Sequence, residues 1–506
     1  MTDTDRRSID ATDRLPPPRS ASSKTFAAAV GTSQSADTRA KRRLWNAVYD
    51  ALLLTAAAAN LLVMGLRLES VLRLGGRVQT TGMEGPGSLG VYEVCAHGTL
   101  YHDYSRIPNN FVFNYIYYQV YGWTDRLFAP CTVSTPLVSR LLTFLLAIAL
   151  AAILFRSRGP RLRVSEALAI AAAALSPYIG WWAFAIRPDV GGAVLFALAL
   201  VAMLAYLRGP SLAPLLAACL LVYGAWGCKQ TYVFAVPLMA LYVFRRNRGH
   251  AVLFLLLFVA GVALPFLLYG PRVYFWHTIL AESRNGFDLS VIEINLTAFF
   301  LKTAPAIVLT IPIVIGTRRL PRNPGRAFLI AMLAFSFAVF AVAAAKDGAG
   351  DNYWFPTFVT ALLLVSLFAA DCTAPLRNGA FLAFGTLTVL AGAALLAGAR
   401  GTLTLVTPVV GNEFKAAKVI NGLPGPKMVW GSGIAPPWMT KDVEARITYP
   451  AESLVLVPGG YNVVARMKRE HYATIAIEGY QPDWLDLSGY RKQEEIGGTA
   501  IFTRKP

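Results

Sequence analysis

Long apolar stretches recur along the chain, near residues 44–66, 138–155, 164–186, 190–207, 212–227, 231–244, 251–269, 298–316, 327–345, 354–370 and 379–398. Each approaches the roughly 20 residues that cross a bilayer as a helix, so the pattern predicts about eleven transmembrane helices. The 212–227 and 231–244 pair is short, which fits tilted helices or helices partly buried in a bundle. The polar linkers are of two kinds. Six are short and basic: AKRR (40–43), RSRGPRLR (156–163), LRG (207–209), RRNRGH (245–250), TRRLPRNPGR (317–326) and LRN (376–378). With the spans above, all six fall on one side, which the positive-inside rule makes the cytoplasm.

The opposite side receives the loop 67–137, a tight bend at Arg187-Pro188-Asp189, Lys229, the loop 270–297, the segment 346–354 and the tail 399–506. Residues 1–43 are polar and Pro/Ser-rich, and read as a disordered cytoplasmic tail. With no apolar segment after the early charges, they do not read as a signal peptide. Residues 44–398 form the transmembrane domain. Residues 399–506 read as a small periplasmic α/β domain, with SLVLVPG, YNVVARMKREH and YATIAIEGY as strand, helix and strand. Gly459–Gly460 reads as a turn, since no full phosphate-loop pattern surrounds it. The expected fold is thus an all-α polytopic membrane protein with a small extracytoplasmic α/β domain, facing the periplasm from the inner membrane.

Composition supports that class. The chain has 506 residues, 55% hydrophobic and 15% charged, with a mean hydropathy of +0.48. The net charge of +18 lies in short loops between apolar runs, a topology signal rather than a nucleic-acid footprint. The five cysteines show no CxxC spacing, and no histidine has HxxxH or HxxE spacing, so neither a metal site nor a cofactor is called for. Cys95 and Cys131 share the long outer loop. They either pair there or act as small buried apolar residues.

Ionisable groups at a membrane edge are costly and usually functional. The first outer loop holds Glu84, Glu93, His97, His102 and Asp103. PGSLGVYEVCAHG predicts a short interfacial helix starting just after Glu84, whose carboxylate would lie near the positive end of the helix dipole. Such a carboxylate can act as general base, or merely cap the helix. In the RPD bend, Asp189 can cap the following helix while Arg187 snorkels to headgroups, or Arg187 can hold a phosphate bidentately. Lys229 and Gln230 interrupt apolar sequence between two short helices. In AKDGAGDNYWFP (345–356), Asn352, Tyr353 and Trp354 stand where a sugar could hydrogen-bond and stack.

With Glu84 in GMEGPG, GTLYHDYSRIPNN (98–110), the RPD bend, CKQT and GAGDNYWFP in this order on one face, the chain resembles the GT-C glycosyltransferases. More narrowly, it resembles the bacterial relatives of protein O-mannosyltransferases and of the aminoarabinose and lipopolysaccharide-core sugar transferases. The likeness spans most of residues 44–400. It implies transfer of a sugar, with inversion, from a polyprenyl-phosphate carrier to a hydroxyl of a glycan, lipid or protein acceptor outside the cytoplasmic membrane. In that frame Glu84 is the base, Asp103 orients it or binds sugar, Arg187 and Lys229 hold the donor phosphate, and Asp189, Gln230, Lys346, Asn352 and Tyr353 contact substrate. The family's usual acidic pair in the first loop is replaced here by Met83–Glu84–Gly85, which leaves Glu93 as an alternative base; spacing to Gly98 and Tyr101 favours Glu84.

Two other classes share some of these features. A transporter or flippase for a lipid-linked or anionic substrate needs polar groups and broken helices at mid-bilayer. Ser176–Pro177 is the best candidate break, the only deep acid is Glu166 near a cytoplasmic end, and no internal repeat is evident. A non-catalytic lipid-binding subunit needs Arg187 and Lys229 but not Glu84.

Overall fold

The computed structural model describes residues 24–76, 80–81, 84–101, 111–129, 131, 136–175, 178–280, 286–317, 320–321, 323–346, 349–402, 408–431, 434, 439–447, 471–479, 481 and 485–506, with side chains in α1 from Thr38 onward. The chain divides into two compact units, 1–51 and 52–506. The first, where described, is the beginning of helix α1 (Lys24–Arg73). Helix therefore covers 24–43, part of the stretch expected to be a disordered tail, and its apolar portion runs unbroken from Thr38 to Arg73.

Within the second unit, α1 continues to Arg73 and two shorter helices follow, α2 (Glu84–His97) and the amphipathic α3 (Tyr115–Phe128). The bundle then alternates direction through α4 (Pro136–Arg156), α5 (Val164–Ala173), α6 (Asp189–Arg208), α7 (Leu212–Cys228), α8 (Ala235–Phe244) and α9 (Arg248–Tyr269). The short α10 (Pro271–Phe275) leads to α11 (Leu289–Thr317), α12 (Pro324–Ala343), α13 (Phe355–Phe368) and α14 (Ala374–Thr402). Among the described residues, eight helices are long and apolar enough to cross a membrane, and three further apolar helices are shorter. Each of the eleven apolar runs in the sequence coincides with one of them. The chain is a multi-pass membrane protein.

Local chemistry sets several helix ends. The Asn247 side chain accepts from the His250 amide at 3.0 Å at the start of α9. Asn323 accepts from Gly325 and Arg326 before α12, whose first residue is Pro324. A side-chain acceptor here satisfies amides that the helix itself leaves open, and proline at the first position loses no bond. Helices α6 and α13 are central, with 72% and 83% of their apolar windows buried, whereas α9 is peripheral at 22%.

Within the second unit, basic linkers lie against one another. Arg377 and the Arg163 amide both approach the Glu166 carboxylate, Arg246 donates to the Leu207 carbonyl at 3.0 Å, and Tyr206 bonds His250. Other linkers also meet: Asn295 donates to the Ala344 and Ala349 carbonyls, and Gln230 to those of Val112 and Thr278. A disulfide joins Cys95 of α2 to Cys131, with Cα atoms 5.6 Å apart.

After α14 comes α15 (Pro408–Gly422) and then a five-stranded sheet: β1 (Lys427–Trp430), β2 (Val443–Ile447), β3 (Thr474–Glu478), β4 (Tyr490–Ile496) and β5 (Thr499–Arg504). The order is β2-β1-β3-β5-β4, with β2, β1 and β3 parallel and the other neighbours antiparallel. Gly497 and Gly498, both at positive φ, turn β4 into β5, as a tight two-residue hairpin requires. β3 matches the strand expected in YATIAIEGY. The strand and helix expected in 453–470, and Gly459–Gly460, lie outside the described residues. One face of the sheet packs on Ala416 and Ile420 of α15. The other takes in Trp276, from the turn after α10. The small domain is thereby docked on the loops that connect the helices.

The bond pattern predicts the thiol count. Denatured, unreduced protein should titrate three thiols, those of Cys219, Cys228 and Cys372, and reduced protein all five. Five thiols before reduction would exclude the Cys95–Cys131 bond.

Candidate active site at the loop end of the bundle

The RPD bend is built by the 3-10 turn Gly180–Phe184, which hands the chain to α6. Asp189 is the first residue of α6, where the helix dipole favours a carboxylate. Its side chain is 2% exposed and is shared three ways. Arg187 Nε donates to Oδ2 at 3.1 Å, Lys229 Nζ to Oδ1 at 2.6 Å and Asn352 Nδ2 to the same Oδ1 at 2.6 Å. Three segments remote in sequence thus converge on one carboxylate. Lys229 sits where α7 stops, and its ammonium lies 4.6 Å from the Tyr353 ring centroid. The Arg187 guanidinium lies over Trp182 at 4.9 Å and Phe113 at 5.5 Å. The two cations share one carboxylate and are held against aromatic faces that favour cations. Such a site suits a phosphate at a membrane edge.

A second polar node adjoins it. Glu84, the first residue of α2, is fully buried. Its carboxylate takes Arg140 Nη2 at 2.8 Å and Nη1 at 3.2 Å, and the Thr80 hydroxyl at 2.5 Å. Arg140 also donates to the carbonyls of Gly76 at 2.6 Å and Phe184 at 2.7 Å. The guanidinium therefore ties the end of α1, the start of α2 and the bend to α4. Gly87 seats α2 against the bend, since a Cβ there would lie 2.6 Å from the Ile186 carbonyl oxygen, which also accepts from Tyr117 at 2.7 Å. Glu84, expected as the base, thus has both its oxygens in contact with internal donors.

The other expected residues fall as follows. Asp103 lies outside the described residues. Glu93 bonds His97 at 2.9 Å, one turn along α2. Gln230 bridges two loop carbonyls. Lys346 pairs through its backbone with Phe287. His277 is buried between Tyr101 and Phe111. Sequence reasoning missed Arg140, Trp182 and Asp351. Asp351 accepts from Trp182 Nε1 at 3.1 Å and pairs with Lys302. An arginine inside the run 138–155 was the available signal, because a charge among apolar residues implies a buried partner. Asp125 of α3 was also missed. Ser139 donates to its Oδ2 at 2.8 Å, while its buried Oδ1 has no hydrogen-bond partner. Burial pushes this carboxyl up to about 7, against the lowering effect of the Ser139 bond.

The helical bundle with its loop-borne helices and terminal α/β domain is the GT-C architecture. A crystal structure of ArnT from Cupriavidus metallidurans bound to undecaprenyl phosphate superposes with a TM-score of 0.58 at 16% identity, covering 90% of this chain and 97% of that one. The same enzyme in the apo state gives 0.56 at 14% identity, covering 91% and 98%. At such identities the likeness is one of fold. No protein-family model and no curated protein sequence matches the chain.

Two outcomes follow from this geometry. Glu84→Gln leaves the Arg140 charge buried without its counter-ion and should lower stability by about 3–5 kcal/mol, whereas Glu84→Leu with Arg140→Met should recover most of the loss; thermal unfolding in detergent checks both. Asp125 has a folded pKa above its ordinary value of about 3.9, so its contribution is full below that value and is lost as pH rises through about 7. The Tm of wild type relative to Asp125→Asn should therefore fall between about pH 4 and 7 and then level off.

Proposed function

We propose that this protein is an inner-membrane glycosyltransferase that takes a sugar from a polyprenyl-phosphate donor and passes it, with inversion, to a hydroxyl of a glycan, lipid or protein acceptor on the periplasmic side. The observation that carries the reading is the pair Arg187 and Lys229 on one carboxylate, at the end of the bundle remote from the basic linkers. An apolar carrier chain can lie along the helices while its phosphate meets this pair. As the bond to the sugar breaks, negative charge grows on the departing phosphate oxygen, and preorganised cations stabilise it. Asn352 and Tyr353 flank the cluster and suit a sugar's hydroxyls and face, with Gln230 and Lys346 further out on the same loops. The ArnT fold, seen with undecaprenyl phosphate in one of its structures, supports the donor class. The Cys95–Cys131 bond supports an oxidising compartment on the loop side, and the positive-inside pattern supports the same orientation, with the N-terminus cytoplasmic.

A single displacement needs one carboxylate to take the acceptor's proton. Glu84 is engaged by Arg140 and Thr80, and Glu93 by His97. We assign deprotonation to Asp103 of the same loop and give Glu84 the task of holding α2 on the bend.

Purified protein supplied with polyprenyl-phosphate hexoses and pentoses should transfer sugar. Lys229→Ala and Arg187→Ala should each slow transfer by about 10²-fold or more, the size of effect seen when one charge-stabilising donor is removed. Asp103→Asn should abolish turnover without changing Tm. Undiminished transfer in both cation variants would remove the phosphate role, and in Asp103→Asn the base.

A further inference from the structure

Arg67 lies on the inward face of α1, six residues before its end at Arg73. It is 6% exposed, so its charge does not reach the headgroup layer by extending outward. Its guanidinium lies 5.2 Å from the Trp181 ring centroid. Gly180, at φ +51°, makes room for it: a Cβ there would lie 2.9 Å from Arg67 Nη1. Yet Nε and Nη1 are buried with no hydrogen-bond partner, and no carboxylate pairs with Arg67 among the described residues. The contrast with the other buried arginines of this end is sharp. Arg140 has Glu84, and Arg187 has Asp189. The neighbouring Trp181 and Trp182 each carry a guanidinium, and of the two only that of Arg187 is neutralised.

A buried, unpaired charge is costly, and a protein retains one where a ligand supplies the opposite charge. We propose that Arg67 is the anion-binding residue of a second subsite, distinct from the Arg187–Lys229 cluster, and that its ligand is a phosphate monoester. A guanidinium matches phosphate oxygens with several donors at once. The depth, about 9 Å below the loop end of α1 by helical rise, favours a phosphate carried on a lipid chain over one free in solution. The glycine at 180 keeps the guanidinium's approach open, and the indole face of Trp181 supports its far side. The inference stands on Arg67 alone and does not require that the chain transfer sugar.

The test uses the full-length protein in detergent, with farnesyl phosphate, farnesol and inorganic phosphate as probes. Native mass spectrometry counts bound farnesyl phosphate, and Arg67→Met should bind one fewer molecule than wild type. If the Arg187–Lys229 pair also binds phosphate the counts are two and one; if it does not they are one and zero. The difference therefore reports on Arg67 whatever becomes of the donor site. Farnesol should not bind, and Arg67→Lys, which keeps the charge but loses the fork, should bind the second molecule at least tenfold more weakly than wild type. Competition by millimolar inorganic phosphate would identify a free ion as ligand, and its failure a lipid-borne one. In the ligand-free state Arg67→Met should raise Tm, because it removes an uncompensated charge. An unchanged count, or an Arg67→Met protein that is less stable or fails to fold, would overturn the assignment.

Discussion

One carboxylate organises the loop end of this molecule. Asp189 accepts from Arg187, Lys229 and Asn352, so a bend, a helix-to-helix junction and a late loop share a single buried anion. Removing two cations from water is tolerable only where such a partner waits. The bend supplies it at the first turn of α6, the position at which the helix itself favours negative charge. Pro188 stands between Arg187 and Asp189, whose side chains meet across it at 3.1 Å. Asp189 thus draws together three cationic or amide side chains spread over 165 residues of sequence.

The Glu84–Arg140 pair performs a related task for the first loop. The polar face of α4 at its first turns, Ser139, Arg140 and Thr143, reaches Asp125, Glu84 and the Ala185 carbonyl in turn. Helices α2 and α3 are thereby held by side chains of a membrane helix, and the disulfide closes the same loop from its far end. Because Gly87 lets α2 touch the Ile186 carbonyl directly, the two nodes are mechanically one: the bend that presents Arg187 is braced by the helix that Glu84 anchors. Glu84 braces this joint with both its oxygens.

Most of the architecture was legible because a bilayer imposes a length on every apolar run. All eleven runs became helices, and basic linkers of the second unit lie against one another, as charge asymmetry leads one to expect. The bend, Lys229 and Asn352 were legible for the opposite reason: polar residues interrupting apolar sequence advertise a cost that something must offset. Arg140 escaped because it lies within an apolar run long enough to cross regardless. Its pairing with Glu84, 56 residues away, is a tertiary fact with no local pattern. Residues 24–43 carry no apolar run, and there the helix of the first span continues upstream into polar sequence. The small domain was recognisable by its β-branched strands, but the docking of Trp276 into its sheet joins segments whose sequences carry no mark of one another.

Tyr101 shows how the described scaffold bears on the first loop. It holds a left-handed backbone, φ 57°, which a bulky side chain adopts only when its surroundings impose it, at a cost of order 1–3 kcal/mol. The surroundings are explicit: its hydroxyl donates to the Phe113 carbonyl, and rings of Tyr118, Tyr269, Tyr274 and His277 pack around it. Three of those rings come from the end of α9 and the turn after it, the same turn that sends Trp276 into the sheet. Strain at Tyr101 is thus sustained jointly by the first loop, the α9–α10 corner and the small domain. The C-terminal domain is thus joined to the first loop through neighbouring residues, Trp276 in its sheet and Tyr274 against Tyr101, rather than standing as a separate module beside the bundle.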